Sequence, residues 1–323
     1  MAPTTLSRRG ALAVAAAALA RPALAQEFPA APIRIVVPFP AGSTTDLRAR
    51  LFADRMAADW RQPVVVDNRG GANGFIAAEL VARARPDGYT VLFGSNTLFS
   101  TNPAMFRRLP YDPVGDFAPI TLMGVSPMVV LVNNRLPVRR VEEFLAYARA
   151  RPGRLNFASG NGSSRGAGEL FKAMAELDMV HIGYQSSPQA LTALMAGDVH
   201  LFIVDGGAGV PPAKEGQLRA IATTGRERMA TLAEVPTVME SGVPGYEFAS
   251  WTAVFVPRAT PPEIVARLHG KITEIGRRPE ILERMQADGS APRFGPPEEL
   301  AGFIAEDVVR WRRVVEISGM GEG

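Results

Sequence analysis

The sequence contains no cysteine, which excludes disulfides, thiolate-held metals and cysteine nucleophiles outright. It is also poor in lysine, with only Lys172, Lys214 and Lys271, so almost every cation is an arginine able to meet a carboxylate with two parallel N–H groups. The three histidines, His181, His200 and His269, are isolated in sequence, and the H-E-x-x-H, G-x-S-x-G and P-loop lysine motifs are all missing. Gly160-Asn161-Gly162 is followed by two serines and lacks the third glycine of a dinucleotide fingerprint. No metal, no cofactor and no catalytic residue set is therefore expected.

Acidic residues are missing from 1–25, where Arg8, Arg9 and Arg21 stand. Those three account for the whole formal charge of +3, and the rest of the chain is balanced. A nucleic-acid or membrane-surface partner thus loses its electrostatic motive. The same stretch reads as an export signal: Ser7-Arg8-Arg9, a short alanine-rich apolar run, then Ala23-Leu24-Ala25 as an A-x-A cleavage site before Gln26. The run is too short to span a bilayer. Ser7-Arg8-Arg9 fits the twin-arginine route, and a general secretory signal also accommodates two arginines, so both routes stay open. Outside the inner membrane ATP and NAD are absent, which points to a solute receptor or a hydrolase.

What is present is ordinary in bulk, with 47% hydrophobic and 21% charged residues in a chain of 323, enough for two domains. Over 33–93 the pattern reads strand, helix (46–60), strand (63–67), helix (75–84), strand (90–93), an order that implies a parallel sheet with helices on both faces. Between the first strand and helix lies Pro38-Phe39-Pro40-Ala41-Gly42-Ser43-Thr44-Thr45-Asp46. Such a strand–loop–helix turn is an anion cradle, because the first N–H groups of a helix lack partners and glycine admits a close ligand. It is equally a plain N-cap. Ser95 and Asn96 follow the third strand at the same carboxyl edge, where open parallel sheets bind ligands.

An apolar strand pair is expected over 119–133, with the crossing between domains at 128–132. A second alternating unit follows, with a helix over 141–150, a strand over 155–158, the loop Ser159-Gly160-Asn161-Gly162-Ser163-Ser164-Arg165, and a helix over 168–177. The opening device is thus repeated. His181 to Pro188 forms a third polar turn, Asp205-Gly206-Gly207 ends a buried strand, and two amphipathic tail helices over 262–277 and 297–315 are expected to cover the first sheet. Ser43 or Ser163 as a nucleophile would require His181 or His200 as its base in space. Asp46 and Asp205 form a metal or acid–base pair on one reading. On the other, Asp46 stabilises its helix start and Asp205 binds a ligand amine or a loop N–H.

Together with Pro32-Ile33-Arg34-Ile35-Val36-Val37-Pro38-Phe39-Pro40, the segments Gln62-Pro63-Val64-Val65-Val66-Asp67-Asn68-Arg69, Pro86-Asp87-Gly88-Tyr89-Thr90, Leu109-Pro110-Tyr111-Asp112-Pro113, Gly168-Glu169-Leu170-Phe171-Lys172 and Trp251 make the chain resemble the substrate-binding proteins of tripartite tricarboxylate transporters, the Bug receptors. The resemblance implies an α/β, two-lobed periplasmic-binding-protein fold of type II, a Venus flytrap, each lobe a mixed, mostly parallel sheet flanked by helices. It places a signal peptide at 1–25, one lobe at 26–128 plus 250–323 and the other at 129–249. It implies a periplasmic receptor, not an enzyme, for a small carboxylate such as a dicarboxylate, aromatic acid or amino acid. Inner-membrane permease subunits or a sensor kinase are the implied partners, with no nucleic acid.

In such receptors the loop after the first strand holds the ligand carboxylate, which corresponds to Phe39, Ala41, Ser43 and Thr44, with Asn96 nearby. The second lobe contributes Ser159, Asn161, Ser163, Ser164, Tyr184, Gln185, Ser186 and Asp205. The chain departs from the family pattern in having Ala41-Gly42-Ser43 for Pro-Gly-Gly, Gln185-Ser186 for Lys-Gly, and no histidine near Gly166. Gln185 for lysine removes a cation and weakens the case for a tricarboxylate.

Overall fold

The structure, a computed structural model, describes residues 28–321; the expected leader at 1–25 lies outside the described residues. In chain order the strands are β1 (Ile33–Val37), β2 (Val64–Asn68), β3 (Thr90–Ser95), β4 (Phe117–Val132), β5 (Leu155–Ser159), β6 (Met179–Gly183), β7 (Leu201–Asp205), β8 (Arg219–Thr223), β9 (Ala249–Pro257) and β10 (Ala291–Pro292). They line up as β2-β1-β3-β9-β4-β7-β5-β6, with β10 and β8 also pairing with β4. β1 is parallel to β2 and β3, and β5 is parallel to β6 and β7, while β9 and β4 run antiparallel to their neighbours. Helices pack on this α/β scaffold, which divides into two lobes.

β4 is what joins them. The expectation of a strand pair over 119–133 is corrected, because Phe117–Val132 is one strand of 16 residues. Gly124 and Pro127 suggest a turn in the sequence, yet the chain stays extended by pairing with β9 as far as Pro127, with irregularities near Thr121 and Gly124 absorbing the mismatch. From Met128 onward the same strand pairs with β7 and β8. Every side chain from Met128 to Val132 is buried, so neither face of that half could have served as a solvent-exposed hairpin.

Three helices differ from expectation. The second-lobe helix spans Gly162–Met174 and not 168–177, so Ser163 and Ser164 lie in its first turn. Gly166 and Gly168 lower helix propensity, but each faces a ring, Trp311 and Phe157 respectively, packed where a Cβ would stand. Gly206–Lys214, with three glycines and two prolines, is helical against its local preference, and Pro279–Ala287 adds a further helix that begins on proline.

The last helix, Pro297–Ser318, does more than cover the first sheet. Its Leu300 packs with Leu98, Phe99 and Trp251 of the first lobe, and its Trp311 and Val314 pack with Phe171, Tyr246 and Phe248 of the second. Between these ends Asp307 is buried and accepts a 2.7 Å hydrogen bond from Trp251 Nε1. The helix therefore straddles the line on which β4 and β9 cross.

Candidate functional site

The loop after β1 is fixed by side chains of its own neighbourhood. Gly42 takes a φ of +83°, a left-handed conformation that costs glycine little. Its N–H donates to Asp46 Oδ2 at 2.9 Å, and Asp46 N–H donates to Ser43 Oγ at 3.2 Å, which caps the helix Thr44–Trp60. Asn68 Nδ2 donates to Phe39 O and to Asp46 Oδ1. Burial alone would raise the Asp46 pKa, but the hydrogen bonds from Arg50, Gly42 N–H and Asn68 outweigh it and hold the carboxyl below its ordinary range. Asp46 is thus occupied in shaping the cradle.

Between the lobes this loop borders a cavity of about 20 Å³, which is the room needed by about one water. Phe39, Ser43, Thr44 and Asn96 line it from the first lobe, and Asn161, Ser163 and Asp205 from the second. The lobes touch across it: Ser163 Oγ donates to Asn96 Oδ1 at 2.9 Å and lies 3.3 Å from Thr97 Oγ1. Thr44 Oγ1 and Asn96 Nδ2 are buried with no hydrogen-bond partner among the described residues. Buried donors without acceptors are costly, so these atoms mark a place that a polar ligand would complete.

A larger cavity of about 730 Å³ shares Phe39 and Asn161 with the first and opens outward. Ser159, Tyr184 and Gln185 line it. The Ser159 hydroxyl lies 2.7 Å from His181 Nε2. Burial, then the charge of Arg165, push the His181 imidazole below its usual range. Ala41 is exposed, and Ser164 and Ser186 line neither cavity. Ser164 completes a capping box with Asn161, and Ser186 caps the helix Ser187–Ala196.

Ser43 and Ser163 meet no histidine, because His181 is bonded to Ser159 and His200 to Asn156. Asp46 does not pair with Asp205, and no group of three metal-ligating side chains occurs among the described residues. Burial pushes the Asp205 carboxyl up, against the hydrogen bonds of Ser250 and Asn161 and the charge of Arg48.

Arg48 was not singled out in the sequence, yet it is buried and lines the inner cavity. Its position carries a signal: it stands on the i, i+4 stripe with Phe52 and Met56, all buried, where a charge is out of pattern. Ser126 and Ser250, partners in the β4–β9 ladder, also line this cavity. In sequence each is the one serine of a largely apolar strand, and only the crossing brings them together.

The profile of the family described as "Tripartite tricarboxylate transporter family receptor" matches residues 48–320. Protein BugT of Bordetella pertussis is 33% identical over 309 residues, covering 95% of each chain. Among solved structures, R. palustris Rpa4515 with adipate superposes with a TM-score of 0.88 at 35% identity, covering 91% of this chain and 99% of that one. MatC of Rhodopseudomonas palustris with bound malate gives 0.84 at 32% identity, covering 89% and 100%. No helix among the described residues is long and apolar enough to cross a membrane.

Proposed function

This chain belongs to the tripartite tricarboxylate transporter family of receptors, and on that footing we propose that it holds one carboxylate of its ligand against Ser43, Thr44 and Asn96 while the rest of the molecule lies in the larger cavity. It is a solute receptor for small carboxylates in that class of transport. The observation that carries the site assignment is the pair of unpartnered buried atoms, Thr44 Oγ1 and Asn96 Nδ2, which belong to two residues lining the inner cavity. Adipate and malate in the related structures support dicarboxylates first among the acids to test, ahead of aromatic acids and amino acids.

The lobes are taken as 26–128 with 250–323 and as 129–249, rotating about β4 and β9. Binding favours closure because only the closed form engages both lobes. A micromolar ligand requires about 8 kcal/mol in all, within reach of a few charge-assisted hydrogen bonds plus desolvation. The leader would be removed after Ala25, through the twin-arginine or the general route, and the loaded receptor would meet inner-membrane permease subunits or, as a sensor, a membrane kinase. N-terminal sequencing of the periplasmic protein and pull-down from membranes test these two points.

Thermal-shift measurements with adipate, malate, benzoate and aspartate test the receptor reading. At least one acid should raise the melting temperature of the purified protein, and Thr44→Val with Asn96→Ala should abolish that rise. If no acid shifts the wild type, the reading fails. A serine hydrolase is the second reading, favoured only by the 2.7 Å contact between Ser159 and His181. It predicts that an ester is consumed, whereas a receptor returns its ligand intact after denaturation.

A further inference from the structure

The two cavities between the lobes each contain one arginine that makes no direct ion pair among the described residues. Arg48 lines the inner cavity, and its Nη2 donates to Ser290 Oγ at 2.7 Å. It forms no ion pair among the described residues, although Asp205 and Asp288 stand near enough to influence its charge. A guanidinium has five N–H donors, so a neutral hydroxyl leaves most of its capacity unused in a place that excludes water.

Arg165 lines the larger cavity from the first turn of the helix Gly162–Met174. Its Nε is buried without a hydrogen-bond partner, and it too forms no ion pair among the described residues. The acid on its own helix, Glu169, is engaged by Lys172 at 2.7 Å. No aspartate or glutamate lines the larger cavity, where the other titratable wall residue besides Tyr184 is His181. The two cavities share Phe39 and Asn161 in their walls and therefore adjoin.

We propose that Arg48 and Arg165 are the residues by which this receptor reads ligand charge: Arg48 meets the carboxylate that enters the inner cavity, and Arg165 meets a second carboxylate on the same molecule in the outer one. The assignment rests on the carboxylate-receptor reading and sharpens it. A ligand with one carboxylate leaves Arg165 unmatched, and a ligand with an amine in its place brings like charges together. The inner cavity, about one water in size, admits no more than the tip of a carboxylate, so the spacing between the two carboxylates is set by the distance from that cavity to the outer wall. Guanidinium recognition of this kind is charge-assisted and bidentate, which lysine cannot reproduce.

Calorimetric titration of the mature protein with adipate and with hexanoate, which differ by one terminal carboxylate, separates the possibilities, and succinate and suberate vary the spacing. The wild type should prefer adipate to hexanoate. Arg165→Gln should weaken adipate about 10- to 100-fold and leave hexanoate unchanged, since it removes one charge-assisted contact. Arg48→Gln should weaken both acids together. Because Arg48 is buried, its variant is first checked for a native circular dichroism spectrum, and Arg165→Gln decides the question alone if Arg48→Gln does not fold. Equal adipate affinity in the wild type and Arg165→Gln, or equal losses for adipate and hexanoate, would overturn the assignment of Arg165 and leave the receptor reading standing. If the wild type binds none of these acids but binds 6-aminohexanoate, a single carboxylate and an amine are read instead and the two-arginine assignment falls. If it binds no acid at all, the receptor reading itself falls.

Discussion

Ser163, in the first turn of a second-lobe helix, donates a 2.9 Å hydrogen bond to Oδ1 of Asn96, which directly follows β3 in the first lobe. One hydroxyl therefore ties the lobes together at the wall of the inner cavity. The bond exists only while the lobes touch, so its net worth of about 0.5–1.5 kcal/mol enters the closing equilibrium. Ser163→Ala should weaken adipate binding about 2- to 10-fold and enlarge the ligand-free protein in small-angle scattering. Unchanged affinity and unchanged size together would show that this contact does not govern closure.

Asp46 gives a pH dependence with a defined sign. Its native pKa lies below the ordinary value of 3.8, because hydrogen bonds from Arg50, Gly42 N–H and Asn68 outweigh burial. A carboxyl with a depressed native pKa contributes stability that is fully present above about pH 4 and is lost as pH falls through the native value. Asp46→Asn should cost about 1–3 kcal/mol at neutral pH, and the gap between wild type and variant should narrow below pH 4. Urea titrations at pH 7 and at pH 3 measure both. A gap that stays constant with pH would assign the cost to packing and not to the charge.

How legible this site was in the sequence depended on whether a residue's role is local. The Pro40–Asp46 cradle could be read because glycine, hydroxyls and acid lie within seven positions just after the end of β1, and Asp46 does bond Gly42 and Ser43 within that span. Ser164 and Ser186 show the converse, since a serine before or within a first helical turn caps the helix and its sequence neighbourhood cannot distinguish that from ligand binding. Arg48 was missed because its environment is made by Ser290, Ser126 and Asp205, all distant in sequence. β4 was split in two because proline and glycine suggest a turn, while its partners on both sides of the crossing, β9 and then β7 and β8, keep it extended.

The contact of Trp251 with Asp307 fixes the straddling helix to the crossing strands. Trp251 Nε1 donates at 2.7 Å, and Arg310 Nη1 donates at 3.1 Å from a side chain that is 62% exposed. Asp307→Ala leaves a buried indole N–H without an acceptor and should cost about 1–3 kcal/mol. Arg310→Ala removes a largely solvated partner and should cost under about 1 kcal/mol. Chemical denaturation followed by tryptophan fluorescence compares the two. If Arg310→Ala proves the more damaging, the indole bond is not the main anchor.

Gly166 and Trp311 test whether that helix is packed on the second lobe as tightly as its burial implies. A Cβ at position 166 would overlap the Trp311 indole, which also lies edge-on to Phe248 with ring centroids 5.3 Å apart. Gly166→Ala should therefore destabilise by about 1–3 kcal/mol through overpacking. In a Trp311→Leu background the obstruction is gone, and the same substitution should become neutral or stabilising by up to about 1 kcal/mol, because alanine is the better helix former. The sign of the Gly166→Ala effect thus reports on one ring. Thermal unfolding of the four proteins in this double-mutant cycle should give a coupling above about 1 kcal/mol, while additive effects would mean that the helix yields at Trp311 without loss. Because the helix grips both lobes, a Gly166→Ala variant that survives should also shift its scattering profile towards the open form, and adding adipate should pull it back.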